Sequence, residues 1–496
     1  MVQAVPADIP KQVIKEDVLA SLIGHFGRWQ LMICLTIPII KFSSGWVQMA
    51  IVFLTPKTTF WCTDFGDNST RIGDNMTCYD ECAKYSYDAS PFNNTIISEW
   101  DLVCERSWLT SLTQMMLQLG VLLGSILFGF FSDRYGRRKT LLLSVVGLIV
   151  FGFAVSFSPD YITFTTLRFL LGVATAGTMV VSFVLIMETI GPKYREVCGC
   201  LFQLPFIIGH ATMPIFAFYN RSWDSYSLAM AVPPLIYLVF FFTAPESPRW
   251  LISMGKTDQA SRVVTKVAEM NKLPTTKVEE TIKSLSEEIR SKATTVKPHY
   301  GDLFRGSLMI KTISSCVIWM ITGLTYYGFN QYVSQTSPNP FITVAAAGLI
   351  QIPSIFISIV LLKYFGRKTT IVTFFVLGGL FVLVLGLVSG SFWTNLTLAC
   401  VGISCVSVVC TCVYIYTSEL FPTVVRNMSM GACSTCMRIG SMIAPFISNL
   451  SETVPWMPTV IFGFAPLLGA LICLMLPETK GTTLQDVIDS KEEQKT

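Results

Sequence analysis

Asp133-Arg134-Tyr135-Gly136-Arg137-Arg138-Lys139 follows one long apolar stretch, and Lys363-Tyr364-Phe365-Gly366-Arg367-Lys368 follows another. The echo continues outward from these segments. Glu188 and Arg195 bracket a Gly-Pro turn as Glu419 and Arg426 bracket a Phe-Pro turn, and Pro245-Glu246-Ser247 returns as Pro477-Glu478-Thr479. Each pair is displaced by about 230 residues, far beyond the roughly 20–50-residue period of solenoid repeats, so the chain reads as two homologous halves. Of 496 residues 52% are hydrophobic and 14% charged, with a mean hydropathy of +0.56. Soluble domains average about 25% charged residues, so the repeat is a duplicated membrane bundle.

Runs of about 20 apolar residues span a bilayer as helices. Twelve are expected, six per half: an all-α membrane protein with a first bundle at 29–244 and a second at 312–476. The remaining stretches are an N-terminal segment at 1–28, a loop at 55–106, a linker at 245–311 and a tail at 477–496. No cleavable signal peptide is expected, because 1–28 is polar and mixed in charge. Basic residues cluster at Arg134–Lys139, Lys193–Arg195, between Arg249 and Lys311, and at Arg367-Lys368. The positive-inside rule puts that side, and with it both termini, in the cytoplasm.

The loop at 55–106 then lies outside. It carries Asn-x-Ser/Thr sites at Asn68, Asn75 and Asn93, and Cys62, Cys78, Cys82 and Cys104. Sequons and an even set of cysteines suit a glycosylating, oxidising lumen, and four cysteines allow three pairings. A zinc site at Cys78 and Cys82 is the minor alternative. The segment from Lys256 to Lys297 has helix-period apolar positions (Val263, Val264, Val267) in a charged background. It reads as one or two amphipathic linker helices acting as a tether.

The doubled motifs are expected to form a conformational gate. Gly129 permits close helix approach and Gly136 a tight turn. Asp133 lies near a helix C-terminus, where the dipole disfavours negative charge, so it calls for a cationic partner. Asp133, Arg134, Gly136, Arg137, Glu188, Arg195 and Glu246, with Glu419, Arg426 and Glu478, stand at cytoplasmic helix ends. Each exposed ion pair contributes only about 0–1 kcal/mol, but several breaking together bias a two-state equilibrium. Lys363 in place of Asp133 makes the two gates unequal.

At these residues the chain resembles the major facilitator superfamily and, within it, the organic-ion transporter family of cation, anion and carnitine carriers. Gly27-Arg28-Trp29-Gln30, the Cys-rich first loop, Pro245-Glu246-Ser247-Pro248-Arg249-Trp250 and Glu419-Leu420-Phe421-Pro422-Thr423 carry the resemblance, which runs from about Val18 to Asp486. His25 departs from the acid found there in many relatives. The resemblance implies a plasma-membrane carrier with a central site between halves that rock about it.

Three basic residues, Lys41, Arg168 and Arg438, fall within spans, where a charge costs roughly 2.5–3.5 kcal/mol. No Asp or Glu falls mid-span. The guanidinium fork of Arg438 suits a carboxylate or sulfonate. In the resembling family this position tends to be basic in anion and carnitine carriers and acidic in many cation carriers. Lys41 is placed to share the anion, with carbonyl binding as its bland alternative, and Arg168 is read as structural. Tyr326, Tyr327 and Trp46 are candidate aromatic contacts, and Gln48 and Gln203 candidate polar ones. His210 reads as a helix–helix hydrogen bond. Without a mid-membrane carboxylate, facilitated diffusion or exchange is expected rather than proton symport.

The substrate is thus read as a small organic ion, leaning to anions or zwitterions such as carnitine. Organic cations held by cation–π contacts are the alternative, and a transport-inactive receptor stands behind both. The partners are that ion and the lipid bilayer, with no nucleic acid, cofactor or metal. No enzyme is expected, because the spans hold no converging nucleophile, metal cluster or acid–base pair.

Overall fold

The computed structural model describes residues 19–65, 73–292, 300–388 and 390–480; the sequon at Asn68 and most of the tail lie outside them. Eleven helices among the described residues are long and apolar enough to cross a membrane. The first bundle contains Arg28–Leu54, Cys104–Tyr135, Arg137–Ser156, Tyr161–Thr189, Pro192–Tyr219 and Trp223–Thr243. The second contains Leu308–Thr336, Pro340–Tyr364, Arg367–Leu387, Phe392–Leu420 and Met457–Leu474. A twelfth helix, Thr423–Asn449, completes the set and carries both Arg426 and Arg438. They are numbered below as spans 1 to 12 in chain order, with Thr423–Asn449 as span 11.

Proline shapes the irregular spans. Pro38 opens a 3-10 turn inside span 1, and Pro233-Pro234 starts another inside span 6. Span 5 begins at Pro192, earlier than its hydropathy suggests, because proline suits the first helical turn, where its missing N–H has no partner to lose.

Within the bundles, span 2 packs on span 4, span 7 on span 11, and span 9 on spans 10 and 12. Between bundles, span 5 meets span 8 and span 2 meets span 11. At the outer end, defined here as the end carrying the disulfide-bonded loop, these contacts are close. Ser111 donates to the Pro445 carbonyl at 3.0 Å, Asn449 to Thr110 at 2.8 Å, and Gln335 to the Thr55 carbonyl at 3.2 Å. Phe341 of span 8 stacks on Phe53 of span 1, with ring centroids 5.5 Å apart, and lies under the Arg221 guanidinium at 4.9 Å.

Toward the opposite, inner end spans 2 and 11 part, while span 8 keeps contact with the Pro192–Leu201 start of span 5. Gly129 lies about five turns along span 2 from Ser111, and Gly431 about five turns along span 11 from Asn449, so each is on the face that makes the outer contact. A Cβ at either glycine would meet nothing within 4 Å. The close approach expected at Gly129 is therefore absent in this conformation.

In the outer loop, strands Phe60–Asp64 and Lys84–Tyr87 pair antiparallel, and Cys62 is bonded to Cys82 and Cys78 to Cys104. Asn75 and Asn93 are exposed. Among its described residues the linker forms α-helices Pro248–Ser253, Thr257–Met270 and Val278–Lys292 and a 3-10 turn at Tyr300–Phe304, with Val264, Val267, Val278 and Ile282 buried. It is docked rather than a loose tether. Asn271 accepts from the Trp29 backbone at 3.1 Å and donates to the Ile23 carbonyl at 2.7 Å, fastening the linker to the start of span 1.

Candidate functional site

The two inner-end motifs build matching clamps. Gly136 and Gly366 sit at φ +104° and +99°, which L side chains rarely adopt, and each turns the chain from one span directly into the next. The turn brings the N-terminus of spans 3 and 9 against a carboxylate. Glu246 accepts from the Arg137 and Arg138 backbone N–H groups at 2.8 and 3.1 Å, and Glu478 accepts from those of Arg367 and Thr369 at 2.8 and 3.3 Å. Negative charge is stabilised there by unpaired N–H groups and the helix dipole. Burial pushes the Glu478 carboxyl up, but donation from the Arg367, Lys480, Thr369 and Lys368 backbone outweighs it and holds the group below the usual glutamate range.

Arg137 Nη2 meets Glu188 at 2.7 Å and Arg367 Nη2 meets Glu419 at 2.9 Å, each guanidinium also donating to a backbone carbonyl at the end of the preceding span. The structure thus places Glu188 and Glu419 on the motif arginines rather than on Arg195 and Arg426. Arg195 donates to the Ile190 carbonyl, and Arg426 keeps Nε and Nη2 without a hydrogen-bond partner among the described residues. Asp133 finds its cation in Arg137 at 3.0 Å while staying 77% exposed, and Arg134 lies exposed beside the Tyr135 ring. Lys363 sits over the Tyr364 ring, so only the first clamp holds an Asp of this kind.

Midway through the bundles two of the three intramembrane cations, Lys41 and Arg438, come near each other. Lys41 is 2% exposed; its Nζ donates to Gln203 Oε1 at 2.6 Å and stands 4.1 Å over the Phe202 ring. Arg438 is 9% exposed, and its Nη1 donates to Tyr327 Oη at 3.1 Å and to Gln48 Oε1 at 3.4 Å. Tyr327 donates to the same Gln48 oxygen at 2.6 Å. This knot joins span 1 to spans 7 and 11 across the two bundles, and Lys41 and Arg438 lie within electrostatic reach of each other. Every acceptor on the two cations here is neutral, and a buried charge without a counter-charge is costly.

Other predicted positions gather nearby. Tyr326 donates to Gln351 Oε1 at 2.8 Å, and Gln351 lies 3.4 Å from His210 Nδ1, so His210 takes part in a contact between helices. Trp46 is turned away from Arg438 into its own bundle, donating to Thr212 at 3.2 Å and meeting Phe216 edge-on. Trp319 donates to Thr417 at 2.8 Å and packs edge-on to Tyr414 at 4.4 Å, forming an aromatic wall.

Sequence reasoning missed Gln114 and Gln118. Gln114 donates to the Gln48 carbonyl and accepts from Arg168 Nη2, both at 2.9 Å. Gln118, one turn on, is fully buried with neither amide atom hydrogen-bonded among the described residues. The available signal was two glutamines at i and i+4 on one face of an apolar span. Among the described residues no group of three or more His, Cys, Asp or Glu is placed to hold a metal ion.

Comparison with known proteins places this architecture. Residues 33–489 match the family model described as sugar (and other) transporter. The chain is 33% identical to solute carrier family 22 member 6-A of Xenopus laevis, over 86% of this chain and 77% of that protein. It is 34% identical to solute carrier family 22 member 12 of Mus musculus, over 82% and 74%. It is 30% identical to an organic cation transporter-like protein of Drosophila melanogaster, over 95% and 91%. Its fold is similar to that of the E. coli xylose transporter in an inward-open conformation, with a TM-score of 0.65 at 18% identity over 92% of this chain and 98% of that one. The chain therefore belongs to solute carrier family 22, the organic-ion transporters of the major facilitator superfamily.

Proposed function

We propose that this transporter carries small organic anions, or zwitterions bearing a carboxylate, by alternating access across the plasma membrane, as facilitated diffusion or exchange. The observation that carries this reading is the charge balance of the core. Lys41, Arg168 and Arg438 are buried within spans that contain no mid-membrane Asp or Glu. In this reading the carboxylate or sulfonate of the solute enters from the open end and supplies the charge missing beside Arg438 and Lys41. The wall of Trp319 and Tyr414 and the Tyr326–Tyr327 pair then cover its apolar body. The Arg438 fork accepts a bidentate anion more tightly than a point charge would.

Organic cations remain a second reading on one observation: the same aromatic rings offer π faces, and a cation–π site needs no carboxylate. Buried Arg438 and Lys41 oppose it by repulsion. Labelled anion, cation and zwitterion panels, taken up by cells expressing the wild type and Arg438→Ala, separate the two. The anion reading expects uptake of carboxylates that Arg438→Ala lowers at least about tenfold, the scale of one lost charge-assisted hydrogen bond. Cation uptake indifferent to Arg438→Ala contradicts it.

A further inference from the structure

Arg168 is the intramembrane cation that the substrate reading leaves unused. It sits about 10 Å along span 4 from Tyr161, at the outer end, and is 3% exposed. Its Nη2 is occupied by Gln114, but its Nε has no hydrogen-bond partner among the described residues. One turn along span 6 from Trp223, the neighbour of Phe164, stands Tyr226, 2% exposed, whose hydroxyl also has no partner among the described residues. Aromatic rings close the site. Phe164 lies 5.8 Å from the guanidinium carbon, Trp223 packs edge-on to Phe164, and Phe53 meets Tyr226.

We propose that Arg168 and Tyr226 form a second anion site, for a monatomic halide held in the outer half of the first bundle. Two buried donors, one of them charged, call for an acceptor that offers no hydrogen of its own. A halide meets that need, has no orientation to satisfy, and tolerates ring edges, whose hydrogens carry partial positive charge. A water accepts from both donors but leaves the guanidinium charge uncompensated, the costlier outcome in a low-dielectric interior. Asp224, two residues before Tyr226, is exposed, and Arg168 donates to the neutral Gln114 rather than to a carboxylate. The lining rings Phe53, Phe164 and Trp223 are all buried, which favours a small ion over an organic one.

The site is separate from Arg438 but wired to it. Arg168 donates to Gln114, Gln114 to the Gln48 carbonyl, and the Gln48 side chain receives both Tyr327 and Arg438. The proposal stands whether the transported solute is an anion or a cation, because its two donors, Arg168 and Tyr226, belong to spans 4 and 6 and not to the Arg438 knot.

The test is thermal unfolding of the purified full chain in lipid nanodiscs as sodium gluconate is replaced by sodium chloride or bromide at constant ionic strength. The melting temperature is expected to rise with saturable halide dependence. Tyr226→Phe should shift the midpoint by about tenfold, the effect of one hydrogen bond to a charged partner. Arg438→Ala should leave the dependence in place. Crystals of the wild type grown in bromide are expected to show an anomalous peak beside Arg168 Nε, a readout that needs no variant to fold. Absence of a halide effect, a water only at Arg168, or a halide effect abolished by Arg438→Ala but untouched by Tyr226→Phe overturns the proposal.

Discussion

Arg438, Tyr327 and Gln48 concentrate the chemistry of the core into one knot. Tyr327 hydroxyl and Arg438 Nη1 both point at the single Gln48 oxygen, so the tyrosine holds the guanidinium in register between the bundles. Tyr327→Phe removes the hydroxyl that donates to Gln48 and accepts from Arg438 while preserving the ring. It should raise the KM for a transported anion about tenfold with a smaller change in maximal rate, as expected for loss of a hydrogen bond to a charged group, and concentration-dependent uptake checks it. The charged members of the site were legible in the sequence, because a Lys or Arg in an apolar run stands out by its cost alone. Gln48 and Tyr327 were legible as candidates but not as a pair. They are about 280 residues apart and meet only when the two bundles pack, information that no local pattern contains.

The clamps at the inner ends act as elements rather than as single charges. Each joins two spans through a positive-φ glycine, caps the second with a Glu, and ties an Arg to a third span. Because the Glu478 carboxyl is held below its usual range in the folded chain, its contribution is fully present above the ordinary glutamate value near 4.5 and is lost as pH falls through the lower folded value. Melting temperature should therefore fall below about pH 4.5 in the wild type, and Glu478→Gln should lower stability at pH 7 while flattening that acid limb. The sequence exposed the two clamps through their repetition but left their wiring open. Glu188 and Arg195, like Glu419 and Arg426, merely bracket a turn. The positive-φ turns instead swing Arg137 and Arg367 back against the ends of spans 4 and 10, a reach set by turn geometry rather than by sequence distance.

As a whole the molecule is two bundles that touch at the outer end and part at the inner end along spans 2 and 11, while spans 5 and 8 stay in contact. Spans 2 and 11 make the point most simply, since Ser111 and Asn449 are engaged while Gly129 and Gly431, on the same faces, meet nothing. If the halves rock, these glycines approach in the opposite state. Paired Gly129→Cys and Gly431→Cys should then cross-link slowly, trap the chain closed at the inner end and abolish uptake, with reduction restoring it; rapid cross-linking without effect on uptake would contradict rocking. The twelve helices and their duplication were readable from hydropathy and repeats alone, because membrane spans must satisfy their backbone internally and so advertise themselves by length. The conformational state was not readable, since one sequence must serve both states. The claim on which the account turns is that the uncompensated cations of the core select a negatively charged solute. Purified transporter in proteoliposomes on a solid-supported membrane tests it through the sign of the current when a solute gradient is applied. With no exchange partner inside, a gradient of a monovalent organic anion is predicted to move negative charge down its gradient and to lose that current in Arg438→Ala. A current carried by organic cations, of opposite sign and unchanged in Arg438→Ala, would contradict it.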